Sequence, residues 1–200
     1  MPLFFPDRPF GADVPGAKYR QTDFRLGRKG CQVLFVIVVL SAIARIVQPF
    51  RLVMVFTGYD LMGRTIDWNL PKYGAGVPVV FKTLFTFLPQ TTDTFLWVNT
   101  VVGCLTVPLV ALLAQRLFSV KGTAAAMALL VGLAPLFIKD HGSESNFVLT
   151  LFFFWAGLYL WFEARQSKRF LLFVLAVGTL GFAATCRPWF LLISPLAVLV

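Results

Sequence analysis

Residues 95–114 read FLWVNTVVGCLTVPLVALLA, with no Asp, Glu, Lys or Arg among them. A helix needs about 20 mostly apolar residues to cross a bilayer, and this stretch supplies them. Inside hydrocarbon every backbone polar group must be bonded within the protein, so the stretch is expected to be helical. Outward from it the same signature recurs: 31–44, 122–138, 145–162, 170–186 and 188–200 are also free of those four residue types.

Composition agrees. The chain of 200 residues is 58% hydrophobic and 14% charged, with 22 Phe. An ordinary globular domain is about a quarter charged. A protein of this size cannot hide so much apolar surface from water, and lipid is the solvent that removes the conflict. The fold class expected is therefore all-α, a polytopic transmembrane helical bundle of about six spans. The run 31–44 reaches full thickness only if its helix continues past Arg45 toward Phe56. Arg45 must then snorkel or face a polar interior. The run 188–200 stops short of a span, which leads us to expect the N-terminal part of a longer protein.

The net charge of +9 is distributed by segment. Segment 1–30 carries Arg8, Lys18, Arg20, Arg25, Arg28 and Lys29; loop 115–121 has Arg116 and Lys121; loop 163–169 has Arg165, Lys168 and Arg169 against Glu163. Cytoplasmic loops are enriched in Lys and Arg, so these three are expected inside. Loops 58–94 and 139–144 and the Arg187 junction then fall outside, with Asp60, Asp67, Asp93, Asp140 and Glu144. The expected organisation is a cytoplasmic basic segment, 1–30, followed by a transmembrane module, 31–200. We expect a multi-pass protein of a bacterial-type plasma membrane whose first span is retained, because thirty mostly polar residues precede it. With the basic residues accounted for by loops and headgroups, no nucleic-acid partner is expected.

In the long outer loop, 57–76 is rich in Gly, Asp and Asn and reads as irregular. Residues 77–88, VPVVFKTLFTFL, are apolar but too short to span. They suit a helix lying in the interface, the rival reading being a re-entrant segment. Tyr59, Trp68, Tyr73, Trp97, Trp161 and Trp189 lie near expected span ends, where amphipathic rings gather; Trp155 does not, and is expected to be buried among helices or lipid tails.

Three polar clusters could carry chemistry. Asp60 follows the first span, with Asp67 beyond it. A carboxylate at a membrane face can act as general base toward a hydroxyl or hold a metal, or be a solvated loop acid. Lys139-Asp140-His141-Gly142-Ser143-Glu144 fills the turn between two spans, either as a headgroup-level phosphate site or as a polar stop that keeps the hairpin from slipping. Arg187 precedes Pro188 between two charge-free runs; it can snorkel, or present a guanidinium fork to a phosphate. His141 is the one histidine, which excludes a multi-histidine metal site, and no P-loop, GxGxxG, HExxH or GxSxG motif occurs. No cofactor is expected, and nothing in the pattern supports a divalent metal. Cys31, Cys104 and Cys186 lack CxxC or zinc spacing and read as apolar filler.

Taken together, these features resemble the GT-C superfamily of polytopic glycosyltransferases, which includes the protein O-mannosyltransferases and aminoarabinose transferases. The basic N-terminus before a first span, the acidic outer loop with VPVVFKTLFTFLP, and FLWVNTVVGCLTVPLVALLAQRLF resemble the start of that module. APLFIKDHGSESNFVLTLFFFWAGLYL is similar to its next outer turn, and ATCRPWFLLISPL to a small-Thr-x-Arg-Pro stretch entering a later span. The resemblance covers 20–200. It implies transfer of a sugar from a polyprenyl-phosphate donor to an acceptor, with inversion. Asp60 or Asp67 would be the base, since Asp60 is followed by Leu61 where many members have an Asp-Glu pair. Arg187, with Lys139 or His141, would hold the donor phosphate; Asp140 and Glu144 would shape the acceptor side. The alternative is a transporter or flippase segment or a membrane scaffold subunit. A transporter should bury ionisable groups near the midplane of its spans, whereas here they lie between the spans, Arg45 excepted.

Overall fold

The computed structural model describes residues 27–47, 75–118, 122–141 and 147–187. Among them every regular element is a helix: α1 (Arg28–Val47), α2 (Gly76–Leu84), α3 (Thr92–Leu117), α4 (Thr123–Leu133), α5 (Pro135–His141), α6 (Phe147–Ser167) and α7 (Phe170–Cys186). Three helical stretches, Arg28–Val47, Asp93–Leu117 and Phe147–Ser167, are long and apolar enough to cross a membrane, while α4 and α7 are shorter apolar helices. These helices fit a membrane protein. Their outward faces carry Phe35, Val36, Val47, Val101, Leu105, Phe170 and Leu171 in the open. A water-soluble monomer rarely leaves so much contiguous apolar surface exposed.

Local signals set the ends of the helices. Thr91 caps α3, its side chain accepting from the Thr94 backbone N–H at 3.3 Å. Asp93 stands in the first turn, where a carboxylate meets the positive end of the helix dipole. Gly122 takes φ 90° before α4, a left-handed value that glycine adopts without strain. Pro78 falls within the first turn of α2, whose N–H groups have no intrahelical partner to lose. Between α6 and α7 the chain turns on Lys168, at φ 53°, so the two helices pack as an antiparallel hairpin.

The core is organised around α3. On one side Val107, Val110 and Ala111 of α3 meet Ile37 of α1 and Ala128 and Val131 of α4. On the other, Leu113 meets Phe154 and Leu158 of α6 and Leu180 and Ala183 of α7. Phe95, at the start of α3, joins Val77 and Phe81 of α2, Leu149 of α6 and Cys186 of α7. Phe81 and Phe95 stack with centroids 4.1 Å apart. Trp155 is half-buried and packs against both of the first two clusters. Trp97, near the start of α3, is exposed.

Small residues let the helices approach, as is usual where lipid competes for apolar contact. A methyl group on Gly157 of α6 would lie 2.6 Å from Leu180 Cγ and 3.1 Å from the Leu180 backbone nitrogen. One on Gly76 of α2 would lie 2.8 Å from the backbone nitrogen of Cys186. Close helix packing therefore seats α2 on the end of α7.

Two sequence expectations change. The run 122–138 is not one helix: Ala134 is extended, at φ −63° and ψ 131°, and Pro135 opens a second helix. Proline lacks the N–H that would continue the ladder, and it disfavours the α region for the residue before it. The apolar stretch read as 77–88 is helical only over Gly76–Leu84, where Thr86, Phe87 and Leu88 close tight turns onto Thr83 and Leu84 ahead of Pro89.

Candidate functional site

The contacts order the ends of the helices. The C-terminal ends of α3 and α6 meet through Arg116, whose Nη2 lies 2.5 Å from Glu163 Oε1 and whose Nη1 donates to Gln166 Oε1 at 3.0 Å. At the opposite end, Arg187 after α7 meets Phe147 at the start of α6, and α2 meets both the end of α7 and the start of α3. The C-terminal end of α4, and α5 with it, also belong to that second end, because α3 and α4 pack closely across a short connection.

Arg187 is placed by Pro188. The residue before a proline is driven from the helical region, and Arg187 is extended at φ −146° and ψ 108°. Its backbone N–H still donates to the Ala183 carbonyl at 3.1 Å, closing the last turn of α7. Its guanidinium carbon sits 3.8 Å from the centroid of the Phe147 ring. A ring face attracts a cation by about 0.5–1 kcal/mol in the open and about 2 or more when desolvated. The stacked guanidinium is thus held as a half-buried cation at the mouth of the α6–α7 hairpin. Lys139 is exposed on α5, and Asp140 and His141 follow it in the same short helix.

The second polar centre lies inside the bundle. Ile37, Ser41 and Arg45 form the one buried stripe of α1, spaced one helical turn apart. Arg45 is fully buried. Its Nη1 donates to the Gly132 carbonyl at 2.9 Å and the Ser41 carbonyl at 3.1 Å, and bonds the Ser41 hydroxyl. Its Nη2 donates to the Val131 carbonyl at 3.2 Å. The Leu130 carbonyl accepts from Ala134 N–H and the Ala134 carbonyl from Ile138 N–H, both at 3.1 Å. The helical partner of the Val131 carbonyl would be residue 135, a proline without an N–H. Arg45 supplies that donor from another helix. Of the two sequence readings for Arg45, snorkelling or facing a polar interior, the structure takes the second.

Among the sequence-predicted site residues, Arg187 and Lys139 fall at one end of the bundle, with the α5 segment that carries Asp140 and His141. Asp60, Asp67 and Glu144 lie outside the described residues. Among the described residues no group of three or more His, Cys, Asp or Glu side chains is placed to hold a metal. Two features escaped the sequence reading. Phe147 as a platform for Arg187 carries no signal among 22 Phe, and Gly76 as the seat of α2 depends on a contact across more than a hundred residues. Comparisons with family models, curated proteins and solved structures return no match for this chain.

Proposed function

We propose that the chain is the membrane module of a glycosyltransferase that moves a sugar from a polyprenyl-phosphate donor to an acceptor at the outer membrane face, with inversion. The observation that carries this reading is the Arg187 guanidinium held on Phe147 at the end of the bundle that also bears α2 and Lys139. Cations fixed at one membrane face suit a phosphate that stays at headgroup level while its lipid tail lies among the helices. The meeting of Arg116 with Glu163 and Gln166 at the other end supports a topology in which the basic loops share the cytoplasmic side. On this reading the chain crosses the membrane about six times, α2 lies in the interface, and the N-terminus is cytoplasmic.

The chemistry is a single displacement. Asp60 or Asp67 takes the proton of the acceptor hydroxyl, and the acceptor oxygen attacks the anomeric carbon. The bond from that carbon to the phosphate oxygen breaks as the new bond forms on the opposite face. The polyprenyl phosphate leaves with both electrons of the broken bond, and Arg187, assisted by Lys139 or His141, stabilises its added charge. Asp140 and Glu144 line the acceptor side.

The transporter reading draws support from one observation, a buried arginine at a broken helix, since discontinuous spans often bind cargo. At least two backbone carbonyls of the break are already engaged by Arg45 itself, which favours a structural use. The test is transfer from a panel of short-chain polyprenyl-phosphate sugars by the full-length protein in lipid vesicles. Sugar transfer with an inverted anomeric centre supports the proposal. Movement of the sugar lipid between leaflets without transfer would replace it by the flippase reading.

A further inference from the structure

Four oxygens converge on the guanidinium of Arg45: the Ser41 carbonyl and hydroxyl on α1, and the Val131 and Gly132 carbonyls on α4. Two of them belong to the last turn of a helix interrupted within an apolar run, where the dipole presents negative partial charge. A cluster of carbonyl and hydroxyl oxygens at an unwound point inside a bundle has the chemistry of a monovalent-cation site. Here the cation is part of the chain. Its planar fork offers a separate nitrogen to each of two successive carbonyls, whereas an ammonium must reach both from a single nitrogen. Gly132 lets α1 come close, since a methyl group there would lie 3.3 Å from Ile37 Cγ2 and 3.5 Å from Ser41 Cβ.

We propose that the break between α4 and α5 is a guanidinium-binding site filled from within, and that Arg45 acts through it as a positioning residue that holds α5, and so Lys139, at the Arg187 end of the bundle. Ala134 is the joint between the two helices, and the arginine secures the carbonyls immediately before it. α5 is seven residues long and packs against α1, α3, α4 and α6, so its direction follows from how that joint is held. The consequence for donor binding rests on the transferase reading; the latch itself does not.

The experiment is a distance measurement by pulsed electron paramagnetic resonance on the full chain in lipid nanodiscs. Spin labels are attached at Leu136→Cys on α5 and Val101→Cys on α3, both exposed positions, with Cys31→Ser to remove the exposed native thiol. With Arg45 in place a single narrow distance is expected. Arg45→Ala should broaden it, as for a released hinge. Ethylguanidinium should restore the narrow distance, while ethylammonium and sodium should not. If Arg45→Ala does not fold, the comparison passes to Arg45→Lys, which keeps the charge but loses the fork, and the same broadening is expected. A distance as narrow as the parent's in the folded Ala variant, or in the Lys variant where only that one folds, overturns the proposal. So does equal rescue by ethylammonium. These readouts involve no sugar transfer, so a failed latch and a failed transferase reading are told apart.

Discussion

Arg116 at the end of α3 and Glu163 near the end of α6 lie 2.5 Å apart, nitrogen to oxygen, and tie together two helices that run in the same direction. Parallel neighbours in a bundle of short connections must be separated by a returning helix, and α4 and α5 provide it. The basic loops after α3 and α6 are thereby brought to one end, which turns the charge pattern of the sequence into a topology that can be checked.

Cysteine labelling in intact cells provides that check. Gln166→Cys, beside the ion pair, should react only after the membrane is made permeable. Phe87→Cys, exposed just beyond α2, should react with an impermeant maleimide added from outside. Labelling of residue 166 from outside would invert the topology and remove the basis for an outer-face site.

The ion pair itself should contribute little stability. Its side chains are about a third and a quarter exposed, at 35% and 24%. Surface pairs are worth about 0–1 kcal/mol. A double-mutant cycle with Arg116→Ala and Glu163→Ala should return a coupling in that range. A coupling several times larger would show that the pair is shielded from water and lies deeper than a loop boundary.

Packing of α6 on α7 should be far less tolerant. In Gly157→Ala the new methyl meets both the Leu180 side chain and its backbone nitrogen, so relief by rotamer change is incomplete. Overpacking of this kind costs about 1–3 kcal/mol. Gly178→Ala, on the open face of α7 with nothing within 4 Å, is the matched control. There the change gives only the helix-propensity gain of about 0.5–1 kcal/mol, which Gly157→Ala shares. Thermal unfolding in detergent should separate the two variants; equal melting temperatures would contradict the close approach of the helices.

Donor binding should depend on Phe147. Phe147→Leu keeps an apolar side chain but removes the ring face beneath Arg187. Loss of about 0.5–2 kcal/mol corresponds to roughly 2- to 30-fold weaker binding of a polyprenyl-phosphate sugar. On the proposed transferase reading, Arg187→Ala should weaken it further, because the phosphate contact itself would be lost. Isothermal titration with a short-chain donor measures both. Binding unchanged in both variants would remove this end of the bundle from the donor site.

If the proposed transferase reading holds with Asp60 as the base, Asp60→Asn should abolish transfer while leaving expression and donor binding intact, because only the proton acceptor would be lost. If Asp67→Asn does so instead, the base is Asp67. Full transfer in each single variant and in the double variant would rule out both.

Much of the helical layout was legible because absent charge is a direct report of solvent. The runs 31–44, 95–114 and 170–186 each lie inside a helix of the structure, and 145–162 is helical from Phe147 onward. The helices are longer than three of these runs because Arg28, Lys29, Arg45, Asp93, Arg116, Glu163 and Arg165 are included in them. Arg45 excepted, which is buried against α4, such side chains at helix ends can reach a polar boundary while their backbone stays helical. The break at Pro135 was also visible in principle; a count of charges passes over it because proline is uncharged. What composition could not supply is partnership. That Arg187 rests on Phe147, or that α2 is seated by Gly76, depends on which helix faces become neighbours, and nearly uniform apolar helices carry no stripe to announce it.

The contact between Arg45 and Gly132 also has a consequence for biogenesis. The two residues are separated by 87 positions of chain, so Arg45 is synthesised long before the carbonyls that receive it. A lone α1 entering the bilayer would carry a guanidinium with only two of its four oxygen contacts, both on Ser41, the Val131 and Gly132 carbonyls being still absent. A charged side chain in a span disfavours insertion, by about 2.5–3.5 kcal/mol at the centre of the helix on translocon scales and by less toward its end. α4 is likewise short for a span, and without Arg45 its Val131 and Gly132 carbonyls would lose the donor that meets them. Each segment relieves the defect of the other, so α1 should linger beside the translocon until α4 arrives, and the two should pass into lipid as a pair.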